Sequence, residues 1–144
     1  MSRGFAVIAL DHPKNVLNVG SVLRIAHNYR ASLVVTSGLR YRHASTDTPK
    51  GRRHIPLLEN LDDVFDAIPY DTVPVAVDII EDACSLPEYK HPRRAFYVFG
   101  QEDGTLGERI LSRCRDVVYV PTQQCMNLAV TVGVVMYDRM VKGA

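Results

Sequence analysis

Short apolar runs alternate along this chain with longer segments of helical period, and this alternation constrains the fold more than any other feature. Each run is four to six residues long, rich in Val, Ile, Phe or Tyr, and bounded by Gly, Pro, Asp or Ser, as buried strands are. The predicted strands are residues 5–10, 33–36, 73–78, 95–99 and 117–120. Their alternation with helices indicates an α/β fold, in which helices flank a mostly parallel sheet.

Four segments of helical period accompany the strands, at residues 19–29, 61–67, 106–112 and 127–141. The first places Val19, Val22 and Leu23 on one face, with Asn18 as a plausible N-cap and Arg24 outside the apolar stripe. The last helix is apolar over most of its surface, and only its final turns are expected to be solvated. Such a helix is typical of a core or of an oligomer interface.

Size and composition favour a single domain spanning residues 1–144. The chain has 144 residues, of which 47% are hydrophobic and 23% charged, the balance of an ordinary globular domain. No apolar run approaches the ~20 residues of a membrane span, and the N-terminus leads into a predicted strand rather than a signal peptide. We therefore expect a cytoplasmic protein without a membrane segment. Three cysteines without a CxxC pair argue against a disulfide framework.

The charges are distributed unevenly, although the formal net charge is only +1. Residues 55–89 contain nine acids and no Lys or Arg. Residues 40–54 hold one acid, Asp47, and a group of five basic side chains: Arg40, Arg42, Lys50, Arg52 and Arg53. A basic segment of this kind can bind a polyanion even in a nearly neutral protein. Residues 37–56 have no clear period, and a connection of that length is often functional.

Three strand-to-helix junctions carry the residues that point to chemistry. Residues 18–26 read NVGSVLRIA, and Gly20 follows a strand at the start of a helix, where a backbone can approach an anion closely. Arg24 could hold a phosphate through two N–H groups of its guanidinium. By itself this segment is better explained by an ordinary capped helix that carries a solvated arginine.

The second junction is residues 99–106, FGQEDGTL, a turn at the carboxyl end of a strand, where open α/β sheets bind ligands. It has neither the GxGxxG spacing of a dinucleotide site nor the Gly-Lys-Ser/Thr of a phosphate loop. The third junction is residues 120–130, VPTQQCMNLAV, where a strand ends in Pro and Asn127 begins an apolar helix. A simple polar turn and an N-cap would explain these two segments individually.

Taken together and in this order, the three junctions resemble the SPOUT class of RNA methyltransferases, in particular the SpoU/TrmH family of 2'-O-ribose methyltransferases. The first family motif, NxGxxxRxA, is matched by Asn18, Gly20, Arg24 and Ala26. The second, FGxExxGL, is matched by Phe99, Gly100 and Glu102, with its second glycine one position early. The third is matched by Val120, Pro121, Asn127 and Leu128, with Cys125 where the family has serine.

The resemblance implies a C-terminal segment threaded into a deep trefoil knot, and a homodimer whose interface contains the C-terminal helix. It also implies S-adenosylmethionine as the cofactor. The cofactor would lie against strand ends and the loop that leads into the last helix, at Val77, Gly100, Val120, Cys125, Asn127 and Leu128.

The resemblance further assigns Arg24 to the reacting ribose, with Asn18, Glu102 and Asn127 orienting the arginine, the ribose or the cofactor. The five basic residues between Arg40 and Arg53 become candidates for gripping RNA phosphates. No metal is expected, because the five histidines lack paired ligand spacing and are interpreted as surface or RNA-contact residues. The length suits minimal family members, which favours tRNA over rRNA as the substrate.

Two other classes of protein compete with this interpretation. A Rossmann-like oxidoreductase has the same strand alternation, but the first strand here is not followed by a glycine fingerprint. A non-catalytic RNA-binding relative would explain Cys125 and the altered second motif. Retention of Arg24, Glu102 and Asn127 favours an active enzyme.

Overall fold

The computed structural model describes residues 4–38, 54–100 and 105–144. The strands are β1 (Phe5–Leu10), β2 (Leu33–Ser37), β3 (Leu57–Leu61), β4 (Val73–Val77), β5 (Cys84–Ser85), β6 (Arg94–Phe99) and β7 (Asp116–Tyr119). The α-helices are α1 (Val16–Asn28), α2 (Glu108–Leu111) and α3 (Leu128–Val141), and short 3-10 helices cover Val64–Ala67 and Leu86–Glu88. All the strands pair in parallel in one sheet of order β3-β2-β1-β6-β4-β7-β5. The predicted α/β class with a parallel sheet is confirmed.

The centre of the sheet is β6, which lies between β1 and β4. Phe99 at the end of β6 is level with Leu10 on one side and with Val77 on the other. These strands are buried on both faces, which is why they read as almost continuous apolar runs. β1, β2 and β3 follow one another from beside β6 to one edge of the sheet, and the next strand, β4, lies on the other side of β6. The direction in which strands are added therefore reverses at the centre of the sheet. Parallel sheets bind ligands at the carboxyl edge beside such a reversal.

Helices cover both faces of the sheet. On one face, α1 and α3 lie together over sheet side chains such as Ile8 and Tyr97, and Val132 of α3 belongs to the same core. On the other face, α2 and the 3-10 helix at Val64–Ala67 pack over Val98 and its neighbours. The sheet therefore forms the middle of three layers, and its carboxyl edge stays open between them.

The five predicted strands are confirmed with shifts of one residue at most at either end, but two strands were missed. β3 is an edge strand whose residues are alternately half-buried and exposed, so it lacks the continuous apolar run of the central strands. β5 has only two residues, and pairing with β7 defines it.

The helix predicted for residues 61–67 is wrong. Leu61 closes β3, and the chain then makes one 3-10 turn at Val64–Ala67. The Asp63 carboxylate caps that turn by accepting the Phe65 N–H at 2.9 Å. Leu57, Leu58 and Leu61 pair with residues of β2 as part of a strand, although the spacing of apolar residues here also fits a helix.

The remaining helices differ from prediction mainly at their ends. Asn18 is not the N-cap of α1, because the helix begins a turn earlier and Asn15 accepts the Leu17 N–H at 2.9 Å. The helix predicted for 106–112 is shorter, and Leu106 is a buried residue ahead of it. The predicted N-cap at Asn127 is confirmed. The final turns of α3 are not uniformly solvated, since Arg139 is only 5% exposed.

Candidate functional site

A cleft opens at the carboxyl edge of β4, β6 and β7, against the first turn of α3. Its walls are three strand-end segments and the loop that enters the helix: Val77, Asp78, Ile79, Phe99, Gly100, Tyr119, Val120, Thr122, Cys125, Met126, Leu128 and Thr131. The adjoining strands create it directly, because parallel strands end at the same edge and their connections must diverge there.

The cleft brings together five of the six residues predicted to bind a cofactor. Val77, Gly100, Val120, Cys125 and Leu128 all line it, although they come from four separate segments of the chain. The sixth, Asn127, lies between two lining residues and caps α3. Placement in one cleft is what the resemblance required of these positions.

Asp78 is a site residue that the prediction missed. Its Oδ2 accepts the Leu106 N–H at 3.1 Å, and its Oδ1 accepts the Ile79 N–H at 2.8 Å. The carboxylate therefore ties the chain after β6 to the end of β4 and shapes one wall of the cleft. The prediction included Asp78 as the last residue of a strand. An acidic residue directly after an apolar run is nevertheless a sequence signal for a residue at the end of the strand, and it could have indicated this site.

A hydrogen bond between two asparagines joins the first and third motifs. Asn127 Nδ2 donates to Asn18 Oδ1 at 3.0 Å, across 109 residues of sequence. Asn127 Oδ1 meanwhile accepts the N–H groups of Ala129 and Val130, at 2.9 and 3.3 Å. Asn18 is buried on α1, so its amide is held in place beside the start of α3. Both residues were predicted at the site, and the structure places them in contact.

Arg24 lies on the exposed side of α1, outside the residues that line the cleft. Within the described part of the chain, its side chain makes no hydrogen bond or ion pair. Glu102 and the basic residues Arg40, Arg42, Lys50, Arg52 and Arg53 lie outside the described residues.

His91 contradicts the prediction that the histidines are surface or RNA-contact residues. It precedes β6 at the opposite edge of the sheet, and its Nδ1 and Nε2 lie 2.6 Å from the Tyr97 hydroxyl and 2.7 Å from an Asp138 carboxylate oxygen. Burial lowers the pKa of this imidazole, an effect that the hydrogen bond to Asp138 opposes only in part. Burial also raises the pKa of Tyr97 to about 12. These residues fasten α3 to the sheet.

In residues 4–38, 54–100 and 105–144, no three His, Cys, Asp or Glu side chains are grouped in a way that could hold a metal ion. Within the same ranges, every helix is too short or too polar to cross a membrane. The described cysteines are free thiols, two of them exposed.

The family model of the SpoU rRNA Methylase family matches residues 6–137, and the chain belongs to this family. None of the curated proteins matches the sequence. The match covers all three junctions and the whole sheet.

Solved structures show the same fold at low identity. The SpoU methyltransferase AviRb from Streptomyces viridochromogenes superposes with a TM-score of 0.84 at 18% identity, over 99% of this chain and 62% of that one. The TrmH/SpoU tRNA modifying enzyme of A. aeolicus gives 0.82 at 15%, over 98% and 76%. A structure described as giving insights into the 2-OH methylation of C/U34 on tRNA gives 0.82 at 23%, over 99% and 92%. This chain spans less than two thirds of the length of AviRb. The trefoil knot that the resemblance implies stays a prediction.

Proposed function

We propose that this protein transfers a methyl group from S-adenosylmethionine to a ribose 2'-hydroxyl of RNA, and that the RNA is a tRNA. The observation that carries the proposal is the cleft. Five of the six residues predicted to bind the cofactor line it together, and a hydrogen bond joins Asn18 and Asn127, two of the four predicted catalytic residues, at its border. Membership of the SpoU methylase family supports the same chemistry.

The residues of the cleft fit S-adenosylmethionine. Apolar side chains such as Phe99, Val120 and Leu128 suit the flat purine, and the backbone groups where β4, β6 and β7 end can pair with its polar edges. The cofactor supplies an electrophilic methyl group on a sulfonium. Two related structures, AviRb and an rRNA methyltransferase of Sinorhizobium meliloti, contain AdoMet.

Arg24 is assigned to the RNA rather than to the cofactor. It is exposed on α1, six positions beyond Asn18, and does not line the cleft. A guanidinium stays charged in proteins and donates two parallel hydrogen bonds to a phosphate, so positioning and charge are its expected contributions. Asn18, Glu102 and Asn127 then orient the reacting groups. Alignment of reactants can remove up to ~7–11 kcal/mol from a barrier in favourable cases.

The preference for tRNA is supported by the similarity to the structure described for C/U34 methylation on tRNA. The chain aligns with 92% of the structure described for C/U34 methylation on tRNA, but with only 57% of the rRNA methyltransferase of S. meliloti. A basic segment is proposed to bind RNA phosphates through Arg40, Arg42, Lys50, Arg52 and Arg53. Within the same segment, Tyr41 could stack on a base.

A homodimer through the C-terminal helix belongs to the same proposal. An exposed apolar stripe supports it: on α3, Val130, Tyr137, Met140 and Val141 are 52–64% exposed. An apolar helix face of this kind marks an interaction surface. Light scattering should give twice the chain mass at micromolar concentration, and Tyr137→Asp should shift it to the monomer. A parent protein that is monomeric throughout would contradict the dimer.

The test is transfer of labelled methyl from S-adenosylmethionine to size-separated RNA from cells that lack this protein. The tRNA band should become labelled, and one phosphodiester should become resistant to alkali. Arg24→Ala should abolish labelling while the cofactor affinity stays within about twofold. Arg30→Ala is the matched control, because Arg30 follows the same helix at the opposite edge of the sheet.

Each other outcome identifies a different protein. Label in rRNA would contradict the substrate class, and cofactor binding without transfer to any RNA would indicate a non-catalytic RNA-binding relative. Thermal protection by a dinucleotide but not by S-adenosylmethionine would favour the oxidoreductase. A large loss of cofactor binding in Arg24→Ala would contradict the role given to that residue.

A further inference from the structure

A second polar cluster lies at the carboxyl edge of the sheet, where β1 and β2 end. It consists of Asp11 and His12, which follow β1, of Ser37 and Gly38 at the end of β2, and of Arg109 from α2. We call it the β1–β2 cluster. The roles assigned so far use none of its residues.

The hydrogen bonds of the cluster fix the tautomer of His12. Asp11 is only 5% exposed and accepts the Ser37 hydroxyl at 3.1 Å, and Ser37 Oγ in turn accepts the backbone N–H of His12. The Nδ1 of His12 lies 3.1 Å from Asp11 Oδ1. A carboxylate can only accept a hydrogen bond, so Nδ1 carries the proton and Nε2 carries the lone pair.

The backbone holds the imidazole in one position. His12 adopts φ 54° and Gly38 adopts φ 80°, and a Cβ at Gly38 would stand 2.6 Å from the Cδ2 of the ring. Glycine is therefore required where the ring packs. Left-handed conformations of other residues are strained and are found mainly at functional sites.

The outer nitrogen of this ring is open to a ligand. The His12 side chain is 34% exposed, and Nε2 has no hydrogen-bond partner among the described residues. Among the described residues, Asp11 is the charged group in contact with the ring. An Arg109 guanidinium nitrogen lies 3.5 Å from the Asp11 carboxylate, and another lies 3.6 Å from the Asp63 carboxylate.

The cluster adjoins the cleft. The Asp11 N–H donates to the Phe99 carbonyl at 2.9 Å, and the next residue, Gly100, lines the cleft. The cleft occupies the ends of β4, β6 and β7, and the half of the edge that β1 and β2 form is its direct neighbour, where an acceptor molecule can lie. His12 stands on that half, one strand away from the cleft.

We propose that Nε2 of His12 takes the proton that the ribose 2'-hydroxyl loses during methyl transfer, an inference that rests on the proposed function. The ribose oxygen forms the new bond to the methyl carbon, the methyl–sulfur bond breaks, and its electron pair stays on sulfur. The hydroxyl proton passes to Nε2, and the Asp11 carboxylate stabilises the imidazolium. The exposed face of the ring then returns the proton to water.

A hydrolytic triad does not explain the cluster. The Ser37 hydroxyl and the Asp11 carboxylate both approach the same nitrogen, Nδ1, at 3.4 and 3.1 Å. In a triad the serine and the acid lie on opposite nitrogens. Ser37 is also fully buried, so its hydroxyl cannot reach a substrate.

The test compares His12→Asn with the parent in single-turnover methyl transfer from pH 5.5 to 8.5, using the RNA that the parent labels. Asparagine tolerates the left-handed backbone and can keep the hydrogen bond to Asp11, but it has no second ring nitrogen. Asp71→Asn is the matched control, because Asp71 has φ 68°, is exposed and precedes β4 at the opposite edge.

The parent rate should rise with pH, because a general base accepts a proton only in its unprotonated form. His12→Asn should be slower by about 10²–10⁴-fold, the usual range for a general base, and should lack that rise. Its affinity for S-adenosylmethionine should stay within about twofold. Asp71→Asn should keep the rate and the pH profile of the parent.

Nuclear magnetic resonance of the ring nitrogens gives a second readout that needs no activity, since His12 should show the tautomer protonated at Nδ1. A His12→Asn variant that keeps the parental rate, or that is slow but retains the pH-dependent rise, would overturn the inference. A ring protonated at Nε2 at pH 8 would also overturn it. Failure of the parent to label any RNA would instead overturn the proposed function, and this inference with it.

Discussion

Asn127 makes two separable contributions to stability, and Asn127→Ala removes both. Its Oδ1 caps α3 by accepting the Ala129 N–H at 2.9 Å, and its Nδ2 donates to Asn18 at 3.0 Å. Asn127→Ser is the matched variant, because a serine hydroxyl can still cap the helix but is too short to reach Asn18.

The two losses can be estimated separately. Removing an N-cap costs ~1 kcal/mol, and leaving a buried polar atom without its partner costs ~1–3 kcal/mol. We expect the lower part of the second range, because Asn127 is exposed and water can reach its side of the contact. The sum is about 2–3 kcal/mol for alanine and about 1–2 kcal/mol for serine. For a chain of this size, each kcal/mol lowers Tm by roughly 3 °C.

Urea unfolding at a fixed protein concentration measures these differences, since association of the chain would shift the apparent free energy. A double-mutant cycle with Asn18→Ala isolates the contact. The coupling energy should be about 1 kcal/mol, the usual net value of one hydrogen bond.

The reasoning would be refuted by Asn127→Ala unfolding within about 0.5 kcal/mol of the parent, the range of an unremarkable surface substitution. Additivity of Asn18→Ala and Asn127→Ala would show that the contact contributes nothing to stability, even if both single variants are destabilised. Equal losses for alanine and serine would locate the whole effect outside the cap.

Three further predictions concern other parts of the chain. The free energy of unfolding should fall as the pH drops below about 6.5, by up to ~1.4 kcal/mol per pH unit, because His91 takes up a proton more readily in the unfolded chain than when it is buried. His91→Gln should flatten this slope in urea titrations. An unchanged slope would exclude His91 as its source. Cys125→Ser should keep cofactor binding and transfer within a few-fold, since it restores the residue that the family carries, whereas complete inactivation in the labelling assay would mean that the cleft depends on the thiol. Replacing Arg52 and Arg53 by Ala should weaken RNA binding and reduce the salt dependence of the binding constant by about two phosphate contacts, and an unaltered salt slope would contradict a role for these residues in RNA binding.

The central strands could be predicted because they are buried on both faces. β1 was predicted with the bounds that the structure has, since six apolar residues between polar neighbours leave few alternatives. β3 was not, because an edge strand needs only one apolar face and its leucines also fit a helical period. Its pairing with β2 decides between the two, and pairing is a tertiary contact.

The site shows the same division. The family resemblance predicts Val77, Gly100 and Val120 at the cofactor, each stands at or just after the end of an apolar strand, and the structure places all three in one cleft. Asp78 was missed because its hydrogen bond to the Leu106 N–H crosses from β4 to the segment after β6. The prediction of Asn18 as the helix cap is wrong, because Asn15 caps α1, although Asn18 does stand at the border of the cleft through its contact with Asn127.

By itself the sequence determined the five strands with continuous apolar runs, the first and last helices, and the polar residues that follow those strands, because periodicity and burial act over a few neighbouring residues. The tertiary structure alone decided what those residues touch. Asn18 and Asn127 are 109 positions apart, and His12 and Gly38 meet only because β1 and β2 are neighbours in the sheet. Contacts between residues so far apart in the sequence depend on the order of the strands, and the helix or strand preference of a short segment does not specify that order.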